Sequence, residues 1–164
     1  MEYCQTTRSD LTFSKLENKY ESLANANPEV GDILHMLQGT VSDLHQRVML
    51  VVRVNKNIKG GTPGALTCVS LYRRAKGDEM KKRHWDVEQV SKGKKKTLFV
   101  ETREDAFSLQ SRITVNLAEP WHVEGGGITI CTLGRVPEKN MTKVIAKVDK
   151  FFGKSVSPKQ KQKK

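Results

Sequence analysis

Two runs do most to limit what this chain can become. VMLVVRVNKNI, Val48 to Ile58, and ALTCVSLY, Ala65 to Tyr72, are nearly continuous in apolar residues and rich in β-branched ones. A run of this length and type reads as a strand buried on both faces. GGTPG, Gly60 to Gly64, separates them and is a loop by composition, so the two runs form a loosely connected hairpin.

The rest of the middle follows the same logic at period two. HWDVEQV alternates Trp85 and Val87 with Asp86 and Glu88, and TLFVET alternates Leu98 and Val100 with polar neighbours. SKGKKK, Ser91 to Lys96, is the tip that joins these two short strands. RITVNL alternates Ile113, Val115 and Leu117, and ITICTL places Ile128 and Ile130 on one face. About six strands, mostly adjacent in sequence, predict an antiparallel sheet rather than parallel crossovers.

Both ends read as helix. Phe13, Leu16, Tyr20 and Leu23 recur at helical spacing, with Ser14 and Glu17 as a capping box. Asn27-Pro28 opens a second helix whose apolar face is Val30, Ile33, Leu34, Leu37, Val41 and Leu44, weakened by Gly31 and Gly39. At the other end, Met141, Val144, Ile145, Val148, Phe151 and Phe152 share one helical face, and Lys143, Lys147, Lys150 and Lys154 share the opposite one. At 100° per residue those lysines fall in a stripe about 60° wide. Gly153 is a reasonable stop. The expected fold is α+β: two N-terminal helices in a segment over 1–46, a compact β-rich body with a C-terminal helix over 47–154, and a disordered basic tail over 155–164. The first ten residues are polar and expected to be mobile.

Charge bears most on function. Residues 1–50 hold four basic and seven acidic residues, whereas 51–164 hold 25 basic and 11 acidic, for a net +11 overall. A cationic body of this kind attracts phosphate polymers or anionic lipid surfaces; the plainer reading is a soluble basic protein with no dedicated anionic partner. Arg73 to Lys96 contains ten basic and four acidic residues, and Lys139 to Lys164 contains nine and one. The anion-binding candidates are Arg73, Arg74, Lys81, Lys82, Arg83, Lys92, Lys94, Lys95 and Lys96 in the middle, with Lys143, Lys147, Lys150 and Lys154 on the last helix. Four lysines within Lys92–Lys96 repel one another and are better placed to meet an anion than to build a fold. They also fit a nuclear import signal, as do Lys81-Lys82-Arg83 and the tail.

Other chemistry finds little support. GGTPGALT lacks the lysine of a phosphate-binding loop and leads into a strand, and Gly125-Gly126-Gly127 lacks the spacing of a dinucleotide fingerprint. His35 and His45, on the predicted helix, stand too far apart to share a metal, and no histidine has ligand-spaced partners. Cys68 and Cys131 sit in apolar runs and read as small buried hydrophobes; a nucleophilic pair of Cys131 with His122 is the one Cys–His arrangement to weigh, and a minor one. Trp121, in the loop Glu119 to His122, reads as a lid on the core. No catalytic residue, metal or cofactor is expected, so the chain reads as non-enzymatic. With no signal peptide, a Met-Glu start and no apolar run near 18 residues, it is expected in a reducing compartment, the cytoplasm or nucleus, and not across a membrane. No ribonucleoprotein motif, zinc finger or GXXG loop appears, so recognition of a backbone or surface is favoured over recognition of a base sequence.

The size, the basicity, the N-terminal helical stretch and the β-rich body resemble the matrix proteins of plant-infecting rhabdoviruses. VMLVVRVNKNI, GALTCVSLY, RITVNL and the lysine-rich tail carry the likeness. Matrix proteins of vertebrate rhabdoviruses often have a Pro-rich budding motif and a lysine-rich amino terminus; this chain has neither. The resemblance implies a virion structural protein that bridges a nucleoprotein and an anionic membrane surface and self-associates. The alternative is a non-specific RNA-binding accessory or silencing-suppressor protein.

Overall fold

A computed structural model describes residues 11–13, 20–40, 43–56, 63–73, 79, 81–88, 97–102, 107–109, 113–124 and 127–160. It is mostly β. The strands are β1 (Leu11–Phe13), β2 (Glu21–Ser22), β3 (Asp32–Thr40), β4 (Asp43–Lys56), β5 (Pro63–Arg73), β6 (His84–Glu88), β7 (Thr97–Phe99), β8 (Glu101–Thr102), β9 (Phe107–Leu109), β10 (Ile113–Val123) and β11 (Ile128–Arg135), followed by one helix, α1 (Glu138–Gln160).

The main sheet runs in the order β2-β11-β3-β4-β5-β10-β6-β7, and β8 pairs with β11. Only Val100 separates β7 from β8. That one stretch therefore borders β6 on one side and β11 on the other, and the pairings close into a ring of seven staves. A closed ring leaves no long edge to template aggregation. The separate pair β1–β9 matches Leu11 with Leu109 and Phe13 with Phe107.

Two clusters divide the core. The first takes residues from every stave: Ile33, Val48, Leu71, Val87, Leu98, Val115 and Leu133 among them, with Val144 and Val148 of α1. Staves from all round a ring can share one cluster only on the inside. The registers agree, since Ile33 faces Leu50, Val48 faces Leu71, and Leu71 faces Val115. The second cluster lies on the outer face of β3, β4, β5, β11 and the end of β10, where Leu23 and Ala26 pack with Met36, Met49, Leu66 and Cys68.

The expected α+β fold with two N-terminal helices is therefore corrected. The stretch assigned to the second helix forms β3 and the start of β4, joined in register from Ile33↔Leu50 to Thr40↔Asp43. The cause is the double burial. Ile33 and His35 point inward while Leu34 and Met36 point outward, and all four are buried. Apolar residues then occupy both parities, which erases the period of two and imitates a helix. In the stretch assigned to the first helix, Phe13 lies in β1, Tyr20 belongs to no helix or strand, and Leu23 lies in a turn after β2; the proposed capping box at Ser14 and Glu17 lies outside the described residues, as do the first ten. His35 and His45 sit on neighbouring strands, not along one helix.

β6 and β7 pair in parallel, Val87 with Leu98, so they are not the arms of an antiparallel hairpin. α1 starts at Glu138 and runs 23 residues, past Gly153 into the stretch expected as a tail; residues 161–164 lie outside the described residues. Glu138 in its first turn suits the positive end of the helix dipole.

Candidate anion-binding surface

The helix α1 is placed by its apolar face. Met141, Val144 and Val148 are buried in the inner cluster, and Ile145, Phe151 and Phe152 pack against it half-buried. With that face fixed, the lysines at helical spacing turn outward. Lys143 and Lys150 are exposed. Lys147 is half-buried, its Nζ 5.7 Å from the centre of the Phe151 ring, a cation–π contact that restrains the ammonium. Lys139, also exposed, extends the row by one more helical turn. It was missed because the helix was expected to begin at Met141; the i−4 spacing alone would have found it.

Asp149 is the one acidic residue between Lys139 and Gln160. It forms an ion pair with Arg53 of β4, which draws its charge toward the barrel wall and away from the lysine row. Both partners are about half exposed, so the pair contributes little to stability. Its effect is on where the negative charge sits.

A second cationic group is the turn before β6. Lys81 and Lys82 are exposed and Arg83 is half-buried. The His84 amide donates to Lys81 O (3.0 Å), and Arg83 O accepts from the Leu117 amide (2.8 Å), tying the turn to β10. It meets β10 where the register slips between Val115 and Pro120. Pro120 has no N–H to give to a ladder, and such an irregularity is where a strand tolerates it.

The other predicted residues are less defined. Arg73 is placed by its backbone at the end of β5, opposite Ile113, and Lys154 by its backbone in α1. Arg74, Lys92, Lys94, Lys95 and Lys96 lie outside the described residues. The described candidates thus form two groups, one on the helix and one on the turn.

Cys131 stands across from His35, not His122, and the Tyr20 hydroxyl hydrogen-bonds His35 Nδ1. His122 is exposed beside Glu124 at 3.4 Å. Desolvation, followed by the neighbouring Cys131, pushes the Tyr20 phenol up to about 12. Burial alone pushes the Cys68 thiol up to about 12. Both effects favour the protonated form, which makes Cys68 a poor nucleophile. Among the described residues, no group of three or more His, Cys, Asp or Glu side chains could hold a metal. Trp121 packs against the outer cluster, with the Arg47 guanidinium carbon 3.9 Å above its ring. No described helix is long and apolar enough to cross a membrane.

Comparison with models of known protein families gives no match, and comparison with curated proteins gives none.

Proposed function

We propose that the chain is a non-enzymatic cationic binding module that grips the phosphate backbone of RNA or of a nucleoprotein. The observation that supports this best is the division of α1. Its apolar face is taken up by the barrel, so the row Lys139, Lys143, Lys147 and Lys150 stands outward on a rigid support. Lysines held this way bind a polyanion with less ordering entropy than lysines on a free segment. Each phosphate they neutralise releases counterions, so affinity falls with salt. The turn Lys81–Arg83 adds a second group of cations.

The wider matrix-type reading adds an anionic membrane surface and self-association. Under it, lipid contact through α1 is electrostatic, because Val144 and Val148 are already buried and cannot also enter a bilayer. A salt series on single-stranded RNA and on anionic liposomes separates the two readings. Binding to RNA alone supports the RNA module, and binding to both supports the bridging role. Binding to neither removes the cationic surface as a functional site.

A further inference from the structure

We propose that Arg53 is a further phosphate ligand of the cationic surface, and that Asp149 occupies it in the free protein as an internal stand-in which an RNA phosphate displaces. The inference rests on the RNA-binding reading above, and its test is arranged so that the two fail separately.

Arg53 stands inside a strand that is buried on both faces. Leu50 and Val52 belong to the inner cluster and Val51 to the outer one. Strict alternation would put Arg53 beside Val51, on the outer face with Leu66 and Cys68, and would put Val54 inside. Val54 packs instead against the outer cluster. The register shows why. Val51 pairs with Cys68 and Arg53 with Thr67, so two steps along β4 match one along β5. A bulge of this kind re-aims a side chain. Here it takes a guanidinium off an apolar face and gives it to α1, where Nη2 meets Oδ1 of Asp149.

That contact puts Arg53 on the flank of the lysine row, because Asp149 directly precedes Lys150 and follows Lys147 by two positions. The two side chains are 52% and 48% exposed, so a polyanion that reaches the row reaches the pair. An exposed ion pair is weak and costs little to break. A phosphate competes well for the guanidinium, since the planar fork of Arg fits two of its oxygens as well as it fits a carboxylate. RNA also arrives with condensed counterions, and their release favours the exchange; the Asp149 carboxylate has no such reserve. Once displaced, the half-exposed carboxylate returns to water.

The test is a double-mutant cycle on the full chain, Arg53→Gln and Asp149→Asn singly and together, with binding to single-stranded RNA measured across a salt series. Arg53→Gln should weaken binding and lower the log–log slope by about 0.7, the share of one phosphate of a single strand. Asp149→Asn should tighten binding, and by about two- to fivefold more with Arg53 present than in the Arg53→Gln background, which is what an exposed ion pair costs to break. An unchanged slope in Arg53→Gln overturns Arg53 as a ligand. An equal gain from Asp149→Asn in both backgrounds overturns the masking, because the carboxylate then acts only as a nearby negative charge; weaker binding by Asp149→Asn overturns it too, by making Asp149 a support for Arg53. If Arg53→Gln does not fold, Arg53→Lys serves instead: it keeps the charge without the fork, so binding should weaken at an unchanged slope, and binding equal to the wild type overturns the proposal. A slope that falls when Lys143, Lys147 and Lys150 are replaced, but not when Arg53 is, keeps the surface and overturns this inference alone. No binding by any of these proteins overturns the surface itself, and the inference with it.

Discussion

Gly31 and Met141 meet where the segment entering β3 passes the first turns of α1. Gly31 has φ of 97°, and a Cβ added there would stand 3.2 Å from Met141 Cγ and 3.1 Å from Val136 O. The chain has little room to retreat, because the Gly31 amide donates to Val51 O and its carbonyl accepts from the Val136 amide. Gly31→Ala is therefore expected to lower stability by about 1–3 kcal/mol, from backbone strain with some overpacking. Thermal or urea unfolding measures it. An unchanged midpoint would show that Met141 yields at no cost and that the contact does not fix the helix.

The lysine row makes a prediction about salt rather than stability. Lys143, Lys147 and Lys150 changed together to Ala should weaken RNA binding and flatten its dependence on salt. The log–log slope should fall by about 0.7 for each phosphate of a single strand that the variant no longer neutralises. The thermal midpoint should hardly move, since Lys143 and Lys150 are exposed and Ala suits a helix. Changing Lys92, Lys94, Lys95 and Lys96 to Ala tests the central cluster in the same assay. Binding curves that superimpose on the wild type at every salt concentration would remove the row in question from the surface.

How much of this was legible before the structure depended on which faces each element buries. α1 buries one face, so Val144 and Val148 against Lys143 and Lys147 gave a clean helical period. β6 and the first half of β10 also showed themselves, because Trp85 and Val87, or Ile113 and Val115, alternate with polar neighbours, whereas Ala118 to Val123, read as a connection with Trp121 in a loop, continues β10. β3 was misread because Leu34 and Met36 are buried on the outside while Ile33 and His35 are buried on the inside. No local pattern announces closure, which depends on Val100 handing one extended stretch from β6 to β11, where Glu101 pairs with Arg135, 34 positions further along the chain (135 − 101). The cationic candidates were readable by composition, but the role of Asp149 was not, because its partner Arg53 is 96 residues away.

The assignment of α1 to the barrel can be separated from a life on the membrane. Val148 is 1% exposed, inside the inner cluster. Val148→Asp buries a carboxylate with no partner provided and should destabilise the fold by several kcal/mol, about the cost of the larger core lesions. The milder Val148→Ala should cost about 1–3 kcal/mol through the cavity it leaves. Chemical denaturation measures both. A helix that lay on lipid in the free protein would give the opposite pattern: unfolding of the free protein unaffected, and liposome binding reduced.

Tyr20 predicts behaviour in base. Its phenol is pushed up to about 12 by desolvation and then by Cys131, while its hydroxyl holds His35 Nδ1. A phenol whose pKa is higher folded than unfolded favours the folded state fully below the unfolded value, about 10, and that contribution is lost as the pH rises through the folded value. The wild type should therefore lose stability between about pH 10 and about pH 12 by an increment missing in Tyr20→Phe. The same substitution takes away the hydrogen bond to His35, so the variant should also start lower at neutral pH, by about 0.5–1.5 kcal/mol. Phenolate absorbance gives an independent reading, because a late-titrating contribution is expected from Tyr20 in the folded chain and should be lost in Tyr20→Phe. Equal alkaline slopes for wild type and variant, with the late phase retained, would place the perturbed phenol elsewhere and leave Tyr20 as an ordinary surface contact to the barrel.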